Sequence, residues 1–352
     1  MQVPWSRLLS AHHLNNRGLV LCALLAAATL LELAAGTGLA FLAGFHTVRS
    51  ALGRFDWVWL IVVASALLTS FVGYYYAYLG IFRADGGPML DRRRMIAVVT
   101  AGFGGFLAHG GGKLDQYAVQ AAGADEAEGK VRASALAGME HGVLAIGGTV
   151  TAIVVLASGR NHPAPDFTLP WAIIPIPGFL LAFWLAERYR DRFRGRDGWR
   201  GFVGTFLDSI HIIRVIFARP RQWGWAVLGM ALFWAADAFA AWAGLAAFGF
   251  RMSGAALFVG FATGMVFTRR TGPLAGAGVL ALVMPLTIWV SGAPFAAAIV
   301  GVFAYRMLAL WLPMPASLAA LPTMREMGRH SAPPAEGVAE APGEPALRHS
   351  SG

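Results

Sequence analysis

Charge is scarce in this chain. Asp, Glu, Lys and Arg supply only 13% of its 352 residues, against roughly 25% in soluble domains. Cysteine is scarcer still. Cys22 stands alone inside an apolar run, so no disulfide can form within the chain and no Cys-x-x-Cys metal or redox pair exists. No His-Glu-x-x-His and no Gly-Lys-Ser/Thr phosphate loop occurs, which removes two common enzyme readings. Gly102-Phe-Gly-Gly looks like a nucleotide loop only superficially, since it follows no strand and lies in an apolar helix. His109, Glu140 and His141 are metal-ligand types at arbitrary spacing, so no metal site is expected. No cofactor is expected either, and the chain is not read as an enzyme.

What the sequence has in excess is apolar surface: 57% of residues are hydrophobic. The expected fold is an all-α integral membrane protein with about six full transmembrane helices plus two re-entrant hairpins, eight hydropathy segments in all. The full spans are placed near residues 18–43, 57–82, 131–157, 169–188, 222–249 and 294–320. The first follows Arg7 and Arg17, but its apolar run of about 25 residues exceeds the 7–15 of a signal-peptide core, so it is read as a retained helix.

The two remaining segments are broken by glycine and carry charge. One runs from Ile96 through Gly102, Gly104 and Gly105 to His109-Gly-Gly-Gly-Lys113; the other runs from Ala255 through Gly260 and Gly264 to Arg269-Arg270-Thr-Gly-Pro273. Each is too short before its break to cross a bilayer, which takes about 20 apolar residues as helix. Both are therefore read as hairpins, near 95–122 and 254–291. Broken apolar segments at matching places in two halves point to a binding site near the membrane midplane.

Lys and Arg set the expected orientation. The N-terminus, 83–94, 125–132, 187–221 and the C-terminal tail hold 2, 4, 2, 9 and 3 basic residues, against Arg49, Arg54, Arg160 and Arg251 on the other side. The first set is assigned to the cytoplasm, placing both termini there, in a cell (inner or plasma) membrane. The net charge of +9 is thus a topology signal and a grip on anionic headgroups, with no nucleic acid required. Trp57, Trp59, Trp171, Trp223, Trp225 and Trp311 fall at expected span ends, as an aromatic belt does.

This topology contains an inverted repeat. Residues 1–17 form a cytoplasmic N-terminus and 18–325 the membrane domain. Within it, repeat one spans 57–157, a linker helix 169–188, an interfacial helix 200–219 and repeat two 222–320. The interfacial helix is inferred from Asp208, His211 and Arg214 on an otherwise apolar stretch. Residues 326–352, rich in Pro, Glu and Ala from Ser331 on, are read as a disordered cytoplasmic tail.

Thr271-Gly-Pro-Leu-Ala-Gly-Ala-Gly278 and Tyr305-Arg-Met-Leu-Ala-Leu-Trp-Leu-Pro313 resemble the Pro-Gly-Gly-x-Gly and Tyr-Arg-x-Leu-x-x-Trp-Leu-Pro signatures of one family. It is the transmembrane, flippase-type region of lysylphosphatidylglycerol synthases and their stand-alone relatives. Met139-Glu140-His141 resembles that family's Glu-Arg pair, with His141 in place of the Arg. The position usually acidic after the second glycine motif is Ala281. The resemblance covers roughly residues 17–325 and implies lipid handling. No soluble aminoacyl-transfer domain is expected after Arg329, so it does not imply lipid aminoacylation.

Candidate site residues follow from the charges at membrane depth, which are functional by default. A half-helix N-terminus after a hairpin turn binds anions, and glycine lets backbone approach a ligand closely. Lys113 with Gly111 and His109 in the first tip, and Arg269, Arg270 and Gly272 in the second, are read as an anionic-headgroup site. The competing reading is that the arginines pair with acids or snorkel to the interface. Glu140 and Arg306 occupy corresponding places in the repeats and are expected to pair. Asp237 is a coupling candidate, His141 either a proton relay or a packing residue, and Glu32 an interhelical hydrogen-bonding residue.

Three functions compete. The first is a lipid or lipid-linked precursor translocase, with membrane lipids as partners. The second is a non-transporting scaffold for an envelope-biosynthesis enzyme. The third is a membrane-embedded transferase, disfavoured because no cytoplasmic loop carries paired acids.

Overall fold

A computed structural model describes residues 17–103, 112–159, 163–266 and 277–330. These residues are mainly helical, with no strand among them. Seven helices are long and apolar enough to cross a membrane, an all-α architecture compatible with a multi-pass membrane protein.

The long helices begin where sequence chemistry starts them. Helix α1 spans Arg17–Ala43 and a short α2 Phe45–Leu52, and α3 (Val58–Arg83) ends at its own arginine. Helix α6 (Glu126–Ala157) opens on Asp125, whose carboxylate accepts the Glu128 amide at 2.7 Å. Acids in its first turn, Glu126 and Glu128, complement the helix dipole. The expected linker span is two helices, α7 (Pro165–Ile173) and α8 (Pro175–Phe193). Pro175 has no amide to continue the ladder and suits a first helical position. Helix α9 spans Gly198–Ala218, and α10 (Pro220–Ala246) again starts on proline. The last candidate span is α13 (Phe295–Trp311) followed by α14 (Met314–His330), interrupted at Pro313. Helix α14 therefore extends past residue 325, where the tail was expected to begin.

The count of candidate spans is seven rather than six because Gly198–Ala218, expected as an interfacial helix, is itself long and apolar enough to qualify. Its setting is informative. Arg190 meets Asp208 at 2.9 Å and Arg214 meets Glu187 at 3.0 Å, so the middle of α9 lies beside the charged end of α8. Ser209 donates to the Val131 carbonyl near the start of α6 at 2.9 Å.

Helices α3 and α10 form the spine. They run antiparallel in contact from the Asp56 amide on the Ala247 carbonyl (2.8 Å) through Tyr74 on Phe233 (ring centroids 5.1 Å) to Tyr76 on Trp225 (6.3 Å). Glycine permits this approach. A Cβ on Gly73 would sit 2.6 Å from the Gly229 carbonyl oxygen, and one on Gly229 would sit 2.7 Å from that of Gly73.

The two glycine-broken segments each contain two short helices: α4 (Arg92–Phe103) with α5 (Gly112–Ala121), and α11 (Gly254–Val266) with α12 (Val279–Val290). At about 1.5 Å per residue none is long enough to span roughly 30 Å of hydrocarbon. Arg94, at the start of α4, reaches the carbonyl of Ala121, the last residue of α5, at 3.5 Å. Helix α11 packs antiparallel on α12, with Gly260 against Thr287 and Ile288 and Gly264 against Met284. Helix α4 packs on α14, where Ser317 donates to the Thr100 carbonyl at 3.0 Å, as α11 packs on α6; α5 packs on α6 as α12 packs on α13.

Candidate functional site

Charged side chains buried in the helix bundle define the candidate site, since each one displaced from water needs a partner. Glu32, Glu140, Asp115 and Asp237 are 0%, 1%, 5% and 5% exposed, and Arg132 and Arg306 are 3% and 6% exposed.

Arg306 does not pair with Glu140. Its Nε and Nη2 donate to Glu32 Oε1 at 3.1 and 2.8 Å. The reason is helix placement. Helix α1 runs antiparallel along α13, Gly36 sitting against Phe303, and this brings Glu32 level with Arg306. The backbone carbonyl of Glu140 accepts the Trp234 indole N–H of α10 at 2.7 Å. Glu140 is not without a partner. The reading of Glu32 as an interhelical hydrogen-bonding residue agrees with the structure.

Asp237, the coupling candidate, lies mid-α10 and accepts the Tyr305 hydroxyl at 2.9 Å. Successive residues of α13 thus reach opposite ways, Tyr305 to α10 and Arg306 to α1. A second pair of the same chemistry sits at the first broken segment, where the Tyr78 hydroxyl donates to Asp115 at 3.0 Å. Rings join the two: Tyr78 to Tyr74, Phe233, Trp234, Phe261 and Tyr305, at centroid separations of 6.3, 5.1, 4.7, 6.0 and 6.4 Å. A continuous aromatic wall therefore links a carboxylate beside the first break to one in the middle of α10.

His141 is half-buried, and its Nδ1 lies 2.8 Å from the Ala137 carbonyl one turn back. That contact is with its own helix, as a packing histidine makes. Arg132 ties the start of α6 to the end of α3: Nη1 donates to the Ile81 and Ala84 carbonyls at 2.8 and 3.0 Å, and Nη2 meets Glu128 at 2.8 Å. It satisfies carbonyls that the end of α3 would otherwise leave orphaned.

His109, Gly111, Arg269, Arg270 and Gly272 lie outside the described residues, as does the side chain of Lys113, whose backbone is in the first turn of α5. Sequence reasoning missed the Tyr78–Asp115 pair and the aromatic wall. The signal available was Tyr74 and Tyr78 one helical turn apart within an apolar span. Among the described residues no cluster of three metal-ligating side chains occurs. No protein-family model matches the chain, and no curated protein matches it significantly.

Proposed function

We propose that the chain is a flippase-type translocase of a lipid or lipid-linked precursor, holding an anionic headgroup between the two glycine-broken segments while acyl chains stay in lipid. The observation that carries this reading is the mirrored packing of two short-helix pairs about the antiparallel α3–α10 spine. One pair sits on α14 and α6, the other on α6 and α13. The Arg94–Ala121 contact and the antiparallel α11–α12 pair support hairpins that enter and return on one side, and the mirrored pairings support an inverted repeat. Alternating access by rocking of the repeats follows from such a plan. The ion pairs at the middle of α9 support its lying along the interface, which leaves six crossings and both termini on the cytoplasmic side.

Lys113, Arg269 and Arg270 supply the positive charge, and Gly111 and Gly272 the backbone access, for a phosphate-bearing headgroup. His109 adds a hydrogen-bonding group. The resemblance to the transmembrane region of lysylphosphatidylglycerol synthases supports the same class of cargo. Buried carboxylates and arginine throughout the bundle favour transport over a scaffold role, because a scaffold has no use for charge at membrane depth.

Native mass spectrometry of purified protein tests the site. Arg269→Gln/Arg270→Gln is expected to stay folded and bind one anionic lipid fewer than wild type, and Gly111→Leu to lose the same one sterically. Wild-type lipid retention in both variants overturns the site, and intact partner binding alongside it favours the scaffold.

A further inference from the structure

A surface that the translocation site does not use joins the end of α8 to the start of α9. Arg188, Arg192, Arg194, Arg196 and Arg200 are all exposed there, and none makes an ion pair among the described residues. Arg190 and Arg214, by contrast, are committed to Asp208 and Glu187. Asp191 and Asp197 are the acids in this stretch, so it stays net positive.

Beside these arginines, α9 carries Trp199, Phe202 and Phe206 on one face, at 68%, 76% and 52% exposure. Leu207, Ile210 and Ile213 on its other face are buried against the bundle. The aromatic stripe is therefore not core. The guanidinium of Arg200 lies 5.6 Å from the Trp199 ring, and that of Arg192 5.8 Å from the Tyr189 ring. Trp184, Leu181 and Leu180 continue the exposed apolar surface along α8.

Indole and phenyl groups flanked by arginine match the chemistry of a leaflet boundary. The rings settle at headgroup level, and planar guanidinium forks grip phosphate with two parallel hydrogen bonds. We propose that this surface is a docking site for anionic phospholipid headgroups, separate from the translocation site and independent of whether the chain transports lipid. Charge complementarity selects the occupant: five unpaired arginines fit phosphate, and the adjoining aromatic stripe fits acyl chain rather than a polar protein partner.

Arg194→Gln/Arg196→Gln/Arg200→Gln alters exposed, unpaired side chains, so the fold is expected to persist, with unchanged thermal unfolding as the check. A basic residue near an anionic surface contributes about fivefold to binding, so losing three lowers affinity about a hundredfold. In native mass spectrometry titrations, phosphatidylglycerol affinity is expected to fall by about that factor while phosphatidylcholine binding is unchanged. Quenching of Trp199 by brominated phosphatidylglycerol, taken as wild type minus Trp199→Phe, is expected to exceed quenching by brominated phosphatidylcholine. An unchanged phosphatidylglycerol affinity in the triple variant overturns the proposal. So does loss of a bound acidic protein with lipid preference intact. If Arg269→Gln/Arg270→Gln alone removes the preference, this surface is refuted while the translocation site stands.

Discussion

Breaking the Glu32–Arg306 pair gives the sharpest energetic test of the bundle. Both side chains are buried, and Arg306 places two donors on one carboxylate oxygen at 3.1 and 2.8 Å. Glu32 Oε2 is buried with no hydrogen-bond partner among the described residues. The pair is thus under-satisfied, so its net contribution over an apolar replacement is small, while loss of one member strands a charge. Removing one partner of a buried pair costs about 3–5 kcal/mol, and insertion scales give at least about 2.5–3.5 kcal/mol for a lone charge at mid-membrane. Glu32→Gln and Arg306→Gln are each expected to lose about 3 kcal/mol in detergent unfolding titrations. Glu32→Gln/Arg306→Gln is expected to lose about 3–4 kcal/mol rather than the additive ~6, a coupling energy of about 2–3 kcal/mol, within the range for contacting residues. The same cycle on Glu140 and Arg306 is expected to be additive to about 0.5 kcal/mol. Additive losses for Glu32 and Arg306, or strong coupling of Glu140 to Arg306, refute the assignment.

Gly73→Ala or Gly229→Ala drives a methyl into the facing carbonyl of the α3–α10 spine, and each is expected to cost about 1–3 kcal/mol as overpacking. Gly38→Ala and Gly224→Ala, which meet open space, serve as silent controls in the same thermal assay. Tyr305→Phe removes the donor to Asp237 and is expected to lose about 1–3 kcal/mol, as loss of a buried hydrogen bond to a carboxylate does. Cysteine accessibility labelling on a Cys22→Ala background is expected to place residues 187–200 and the C-terminus on one side and residues 158–168 on the other. A C-terminus on the side of 158–168 removes both the re-entrant hairpins and the inverted repeat.

Much of the helix layout is legible in the sequence because apolar runs are bounded by residues that stop them. Arg83 closes α3 and Pro220 opens α10, so the expected spans at 57–82 and 222–249 fall within three residues of the structure. Breaks inside apolar runs are harder to see. Pro175 and Pro313 each divide a segment that hydropathy treats as one, and α2 follows Gly44, whose φ of 83° turns the chain before Phe45. The charges show a different limit. Hydropathy gives the depth of a residue but not the direction it faces around its helix, so repeat correspondence suggested Glu140 as the partner of Arg306. The actual partner lies on α1, outside both of the expected repeats. Its depth matches once α1 is seen to run antiparallel to α13, and Gly36, seated against Phe303, marks that face.

Lipid movement itself is the central claim, and proteoliposomes measure it most directly. With fluorescent anionic phospholipid in vesicles, the time course of dithionite protection reports transfer between leaflets. Wild-type protein is expected to transfer the anionic lipid faster than protein-free vesicles. Arg269→Gln/Arg270→Gln, folded and inserted at equal density, is expected to fall to the protein-free rate, while Arg194→Gln/Arg196→Gln/Arg200→Gln keeps transfer measurable. Wild-type vesicles no faster than protein-free ones, or undiminished transfer in Arg269→Gln/Arg270→Gln, would contradict translocation through the two glycine-broken segments.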